Sequence, residues 1–146
     1  MFNQYCNERT ANFDELMLCG ALVDEFDQEN SLEVMNGYFS KAMHARTDNL
    51  SALIYSARTA EPTSPAANEV RQRLEASYSK DRLNPTVNYQ LARLYRPIDL
   101  AKSRDYLEKA MLTTFDPDAV RGLIRDLEQI EHEQESTKAG SNARTQ

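Results

Sequence analysis

The sequence predicts an all-α protein in which helix–turn–helix hairpins stack into a solenoid. Small residues recur in two series, Ala42, Ala76 and Ala110 at intervals of 34 residues, and Gly20, Ala57 and Ala92 at intervals of 37 and 35. A period of this length is typical of stacked helical hairpins. The chain has only four glycines and five prolines in 146 residues, which favours long helices over a turn-rich β fold. We expect about three hairpins and one C-terminal capping helix.

The first four helices are predicted from apolar residues at helical spacing and from capping residues at their starts. Asn12 is the expected N-cap of the first helix, and Ser64 before Pro65 is the expected start of the fourth. Gly37 costs the second helix up to about 1 kcal/mol relative to alanine, and we expect a neighbouring backbone to pack closely there. The ranges and apolar stripes are 12–27 with Leu16, Cys19 and Val23; 31–46 with Val34, Phe39 and Met43; 50–61 with Leu53 and Ile54; and 65–82 with Val70 and Leu74.

Further capping signals mark the last three helices. Asn84 before Pro85 starts the fifth helix, Asp99 caps the sixth, and Asp116 before Pro117 starts the seventh. The ranges and apolar stripes are 85–96 with Val87, Leu91 and Leu94; 99–113 with Leu100, Leu107 and Met111; and 117–133 with Leu123, Leu127 and Ile130. We therefore divide the chain into an N-terminal extension (1–11), a helical repeat domain (12–133) and a polar tail (134–146). The tail has no apolar anchor, so we expect it to be disordered.

Composition and charge limit the classes of function. The chain is 40% hydrophobic, enough for a real core, and no run approaches the ~18 apolar residues of a membrane span. The net charge is −6, and residues 1–48 hold nine acidic and three basic residues while the rest carries fourteen of each. An acidic surface repels phosphate, so we expect no nucleic acid ligand. The acidic third is either a solvated helix face or a docking surface for a basic partner.

Cys6 and Cys19 are the two cysteines of the chain, and their spacing matches no zinc motif. Cys19 lies in an apolar helix, where it reads as a small buried hydrophobic residue. A disulfide between the two requires export, and the sequence leaves their pairing open. The N-terminal residues lack the apolar region of a signal peptide. We expect a cytoplasmic protein, with an exported or periplasmic one as the alternative if a leader has been removed.

Residues 84–117 resemble the tetratricopeptide repeat, a helix–turn–helix unit of 34 residues. The matching positions are Leu91, Ala92 and Tyr95 in the first helix, Ala110 in the second, and the flanking Pro85 and Pro117. The resemblance extends over about residues 12–133 and implies a right-handed solenoid. Sel1-like repeats, which also form alanine-rich hairpins, are the second choice. An ordinary helical bundle with an accidental period is the third interpretation.

The resemblance also implies a concave groove, lined by the first helix of each hairpin, that binds a peptide. Three arginines beside a tyrosine suit an acidic peptide, because guanidinium groups pair bidentately with carboxylates. The alternative is that these arginines pair with local acids such as Glu61. The lysine–asparagine clamp of chaperone-binding members is not matched. The residues carried over to the groove are Met17, Asp24, Ile54, Arg58, Glu61, Tyr89, Arg93 and Arg96.

Catalytic and metal-binding motifs are sparse. His44 and His132 are the only histidines, no HExxH spacing occurs, and no glycine-rich phosphate loop is present. We therefore expect no enzyme activity, no cofactor and no metal. A helical enzyme or metal protein that uses the Glu131–Glu135 cluster stays as the least favoured hypothesis.

The function predicted from these observations is that of a non-catalytic adaptor, scaffold or assembly factor that binds a protein or peptide segment. The alternative is a chaperone of the secretion- or pilus-assembly type, which holds an aggregation-prone subunit. A homodimer through the C-terminal helix is a further expectation, because that helix carries a continuous apolar stripe. The stripe consists of Leu123, Ile124, Leu127 and Ile130.

Overall fold

A computed structural model describes Cys6 and residues 12–26, 31–78 and 83–142; side chains are described to residue 23 in the first helix and to residue 137 in the last. These residues form seven helices and no strand, so the all-α prediction is confirmed. The helices, in chain order, are α1 (Phe13–Phe26), α2 (Ser31–Ala45), α3 (Leu50–Thr59), α4 (Pro65–Tyr78), α5 (Pro85–Tyr95), α6 (Leu100–Thr113) and α7 (Pro117–Asn142).

The helix starts are fixed by the capping side chains that the sequence predicts. Asn12 Oδ1 accepts a hydrogen bond from Glu15 N at 2.9 Å, and Ser64 Oγ accepts one from Ala67 N at 3.1 Å. Asp99 caps α6 through Lys102 N at 3.0 Å. Such bonds satisfy backbone N–H groups that have no partner inside the helix.

The last helix is longer than the sequence predicts. It runs to Asn142, whereas we expected it to end at Glu133 and the residues beyond it to be disordered. Glutamate, glutamine and lysine are good helix formers, so a charged and polar segment without a helix breaker continues an established helix. Residues 143–146 and the N-terminal extension, apart from Cys6, lie outside the described residues.

The chain divides into two compact units, residues 1–77 and 78–146. In the first unit, α1 packs on α2 and α2 packs on α3. The closest approach is at Gly20, where an added Cβ would lie 2.6 Å from Cε1 of Phe39. The Phe39 ring is buried and stacks on Tyr55 with ring centroids 4.9 Å apart. The absent side chain at Gly20 therefore makes room for the central aromatic residue of this unit.

Polar contacts align the helices of the first unit. Asn36 Nδ2 on α2 donates to Ser56 O at 3.3 Å and to Thr59 Oγ1 at 3.2 Å on α3. Glu69 on α4 pairs with His44 Nε2 on α2 at 3.0 Å. A disulfide joins Cys6 to Cys19, and both side chains are buried. The pairing that the sequence left open is thus present, and it holds Cys6 against α1.

In the second unit, α6 packs between α5 and α7. Ser103 Oγ on α6 donates to Ala92 O on α5 at 2.7 Å, a bond that needs the two backbones close together. The core of the unit consists of Ala92, Leu107, Ala110, Leu123 and Ile130.

The apolar stripe of α7, which we expected to support a homodimer, is largely used inside this unit. Leu123 and Ile130 are buried in the core, and Leu127 packs against it. The exception is Ile124, whose side chain is 41% exposed. The stripe serves first to close the second unit.

Within the described parts of the chain, no helix is both long and apolar enough to cross a lipid bilayer.

We predict opposite effects for alanine at two glycines of the first unit. Gly20→Ala should lower the free energy of unfolding by about 1–3 kcal/mol, because its Cβ overlaps the buried Phe39 ring. Gly37→Ala should raise it by about 0.5–1 kcal/mol, because alanine is the better helix former. No atom lies within 4 Å of an added Cβ at Gly37, so the close backbone expected at Gly37 is absent. Urea denaturation of both variants tests the pair, and equal effects would contradict the packing at Gly20.

Candidate functional site

The groove residues carried over to the first unit do not share one contact. Arg58 and Glu61 are exposed, whereas Met17 and Ile54 are half-buried. Glu61 Oε2 accepts hydrogen bonds from Thr63 N at 3.0 Å and Thr63 Oγ1 at 2.6 Å, so it supports the connector between α3 and α4. The side chain of Asp24 lies outside the described residues.

The groove residues carried over to the second unit do lie together. Tyr89, Arg93 and Arg96 recur at helical spacing on α5, and all three line one small cavity of about 90 Å³. The other lining residues include Ser103 of α6 and Asp126 of α7. The spacing on α5 was visible in the sequence, but the contribution of α7 was not predicted.

Arg96 is held by the closing helix. One guanidinium nitrogen lies 2.7 Å from Glu133 Oε1 and 3.1 Å from Gln129 Oε1. Arg93 Nε donates to Gln90 Oε1 on its own helix at 3.4 Å. Pairing with nearby acids, which the sequence left as an alternative, therefore describes Arg96, although its partner is Glu133 and not Glu61.

A larger and mainly apolar cavity of about 350 Å³ adjoins this cluster. Tyr89 and Asp126 line both cavities, and Gly122 on α7 contributes open space, since no atom lies within 4 Å of an added Cβ. Binding pockets commonly measure 300–1,000 Å³ and combine apolar walls with a few polar groups. The full lining is Pro85, Thr86, Tyr89, Ala110, Thr114, Ala119, Gly122, Leu123 and Asp126.

The α7 wall of this cavity was missed because we assigned that helix only to capping. Ala119, Gly122, Leu123 and Asp126 follow the spacing i, i+3, i+4 and i+7, which places them on one helix face. Two small residues on that face, where a cap would carry large apolar ones, were the available signal. Hereafter the binding face means Tyr89 and Arg93 of α5 with Gly122 and Asp126 of α7, together with the larger cavity that Tyr89, Gly122 and Asp126 line.

Beside the larger cavity the chain exposes two large apolar side chains. Phe115, in the connector between α6 and α7, is 97% exposed, and Leu112 at the end of α6 is 78% exposed. Thr114, which adjoins Phe115 in sequence, lines the cavity. Exposed apolar residues that cluster are a mark of interaction surfaces.

Two cations on α6 have perturbed acid–base behaviour. A hydrogen bond from Arg104 to Glu108, with Glu131 as a second anion, raises the pKa of Arg104. The hydrogen bond from Lys109 to Asp105 raises the pKa of Lys109. Both groups stay protonated at neutral pH, so these pairs are fixed structural contacts and not proton donors for chemistry.

Metal-binding and catalytic groups do not gather in the part of the chain that the structure describes. No group of three or more histidine, cysteine or carboxylate side chains is arranged to hold an ion there. His132, in the Glu131–Glu135 cluster, is exposed.

The small residues of the repeat series occupy unequal positions. Gly20, Ala42, Ala57, Ala92 and Ala110 are buried, whereas Ala76 on α4 is exposed. The 34-residue spacing thus places Ala42 and Ala110 in the interior of their units and Ala76 on the surface.

Comparison with protein-family models, with curated proteins and with solved structures finds no match for this chain.

Leucine at two positions of the small-residue series should distinguish the buried from the exposed environment. Ala92→Leu should lower the free energy of unfolding by about 1–3 kcal/mol, because the added atoms overpack the contact between α5 and α6. Ala76→Leu should change it by less than about 0.5 kcal/mol, because it lies on the surface. Thermal melts followed by circular dichroism test this difference, and a stable Ala92→Leu variant would contradict the packing described for α5.

Proposed function

We propose that this chain is a non-catalytic protein-binding module built of tetratricopeptide-like hairpins, which holds a peptide or protein segment on the binding face. In this proposal it acts as an adaptor, scaffold or assembly factor and needs no cofactor. The observation that carries it is the placement of Tyr89 and Arg93 beside an apolar cavity of about 350 Å³.

The chemistry of the binding face favours a ligand with an apolar side chain next to a carboxylate. The cavity offers apolar walls for the first group, and the guanidinium of Arg93 supplies N–H donors for the second. Arg96 keeps α7 in place through Glu133 and Gln129, so we assign it a positioning role. An extended or helical segment carries both groups at the required spacing.

The first unit contributes to binding in this proposal through the residues that the resemblance carries over. Arg58 is exposed, and among the described residues it forms no ion pair. It thus offers a second place for a carboxylate. Met17, Asp24, Ile54 and Glu61 complete the proposed groove.

A charge reversal tests the proposed face. Arg93→Glu should weaken capture of the dominant partner from native lysate by about ten- to a hundredfold, since a hydrogen bond to a charged group contributes about 1.5–3 kcal/mol. The matched control is Arg121→Glu, which makes the same charge change at an exposed position on the opposite side of α7. Partners are identified by mass spectrometry, and binding is then measured with the purified partner. Equal capture by wild type and Arg93→Glu would move the site away from this face.

The disulfide favours the second candidate function, a chaperone of an export or pilus-assembly system that holds an aggregation-prone subunit. Disulfides persist mainly outside the reducing cytosol, so Cys6–Cys19 supports an exported or periplasmic protein over the cytoplasmic one we expected. The exposed Phe115 and Leu112 would serve such a chaperone as contacts for an apolar client.

The redox state in the cell tests this candidate. We expect protein trapped with an alkylating reagent in intact native cells to carry no free thiol, and to co-purify with one apolar client. A protein without disulfide would instead show two alkylated cysteines. Fully alkylated Cys6 and Cys19 would contradict an oxidising location and return the adaptor in the cytosol as the better proposal.

A further inference from the structure

We propose that one copy of this protein inserts Phe115 into the larger cavity of a second copy, so that the chain forms a dimer with two-fold symmetry. The inference rests on the proposed function, because it names a second copy of the chain as a partner for the binding face. It differs from a dimer through the apolar stripe of α7, since that stripe is mostly buried in the second unit.

The inserted group would be the side chain of Phe115. It is 97% exposed, more than any other large apolar residue described, and Leu112 beside it is 78% exposed. Removing such surface from water is the main driving force of association. The segment after it starts with Asp116 and Pro117, where Asp116 Oδ1 accepts a hydrogen bond from Asp118 N at 3.0 Å. This contact fixes the backbone that presents Phe115.

The receiving group would be the cavity of about 350 Å³ between α5, α6 and α7. Its walls are mostly small or apolar, and Gly122 leaves its floor open. Tyr89 at its edge is 39% exposed and presents an aromatic ring. Aromatic side chains prefer offset or edge-to-face contacts with one another, so Tyr89 is a suitable neighbour for an inserted phenyl ring.

The inserted group and the cavity lie side by side, which is what a two-fold symmetric contact needs. Thr114 lines the cavity, and Phe115 is the next residue. In a two-fold interface each copy presents the same patch, so each both gives and receives the contact. One rotation axis near Thr114 therefore satisfies both cavities at once and leaves no open site for further growth.

The area and the charges of this contact indicate a weak but specific dimer. A buried phenylalanine removes about 150–250 Å², so two rings and the walls they cover account for roughly 600–1,000 Å², near the lower limit for specific interfaces. Charge adds complementarity, because exposed Asp116 and Asp118 accompany the ring while Arg93 belongs to the receiving face. We therefore expect reversible association in the micromolar range.

Sedimentation velocity over a wide range of protein concentration tests the dimer with three single variants. Phe115→Ser removes the inserted ring, and Gly122→Leu fills the cavity with a side chain that meets no atom at its Cβ. Each should weaken self-association at least about a hundredfold, since two identical contacts are lost per dimer. Ile98→Ser is the matched control, because Ile98 is also exposed (53%) but lies in the connector at the other end of α5.

Mixing the two disrupted variants gives a sharper result. A pair made of Phe115→Ser and Gly122→Leu retains one intact contact, the ring of the second variant in the cavity of the first. The mixture should therefore associate more strongly than either variant alone. Circular dichroism checks that all variants keep the helical fold.

Several outcomes would overturn the dimer. These are a wild type that stays monomeric at every concentration, a dimer unaffected by Phe115→Ser, and a mixture that associates no better than its components. A monomer that still captures another protein through Arg93 would overturn the dimer and leave the proposed function standing. If neither association nor Arg93-dependent capture occurs, both proposals fail.

Discussion

The structure depends on helices that approach closely where the chain has small residues. In the first unit the missing side chain of Gly20 admits the ring of Phe39, and that ring then stacks on Tyr55. In the second unit Ala92 lets α6 come near enough for Ser103 to bond the α5 backbone. Helices pack at 8–10 Å depending on the residues at the contact. A larger side chain at either position would separate the axes and displace the residues beyond it.

The same constraint sets the geometry of the binding face. Tyr89 and Arg93 lie on the helix that Ala92 anchors, so their position relative to α7 follows from the contact between α5 and α6. Arg96 adds a second tie, because its guanidinium bonds Gln129 and Glu133 on the closing helix. Ion pairs as exposed as this one contribute about 0–1 kcal/mol. Its main effect is thus to fix orientation and not to supply stability.

Much of the fold could be predicted because local signals agree with tertiary contacts. Asn12, Ser64 and Asp99 cap helices exactly one turn before apolar stripes that become buried. The length of α7 could not be predicted from apolar spacing, because residues after Glu133 form a helix without an apolar anchor. The exposed position of Ala76 could not be predicted either, since a spacing in sequence does not determine which way a residue faces.

The binding face was only half predictable, for a related reason. Helical spacing groups Tyr89, Arg93 and Arg96 on α5, but no rule of spacing places Asp126 of α7 against them. That contact depends on the way α7 crosses the unit, which is set by Leu123 and Ile130 in the core. The disulfide was likewise undetermined, because two cysteines thirteen residues apart form one only when the chain brings them close.

The closing helix supplies the last step of the argument. A helix that only had to cover α6 would carry large apolar residues along its inner face. Gly122 instead costs helix stability of about 1 kcal/mol, and the open space beside it forfeits packing contacts that a larger side chain would make. Two local penalties therefore coincide at one place in the second unit. Departures from the residues that best suit a fold are expected where a protein binds something, and the lining of this cavity, next to an almost fully exposed phenylalanine, is such a departure. The cavity is for this reason better explained as a place for an incoming side chain than as imperfect packing.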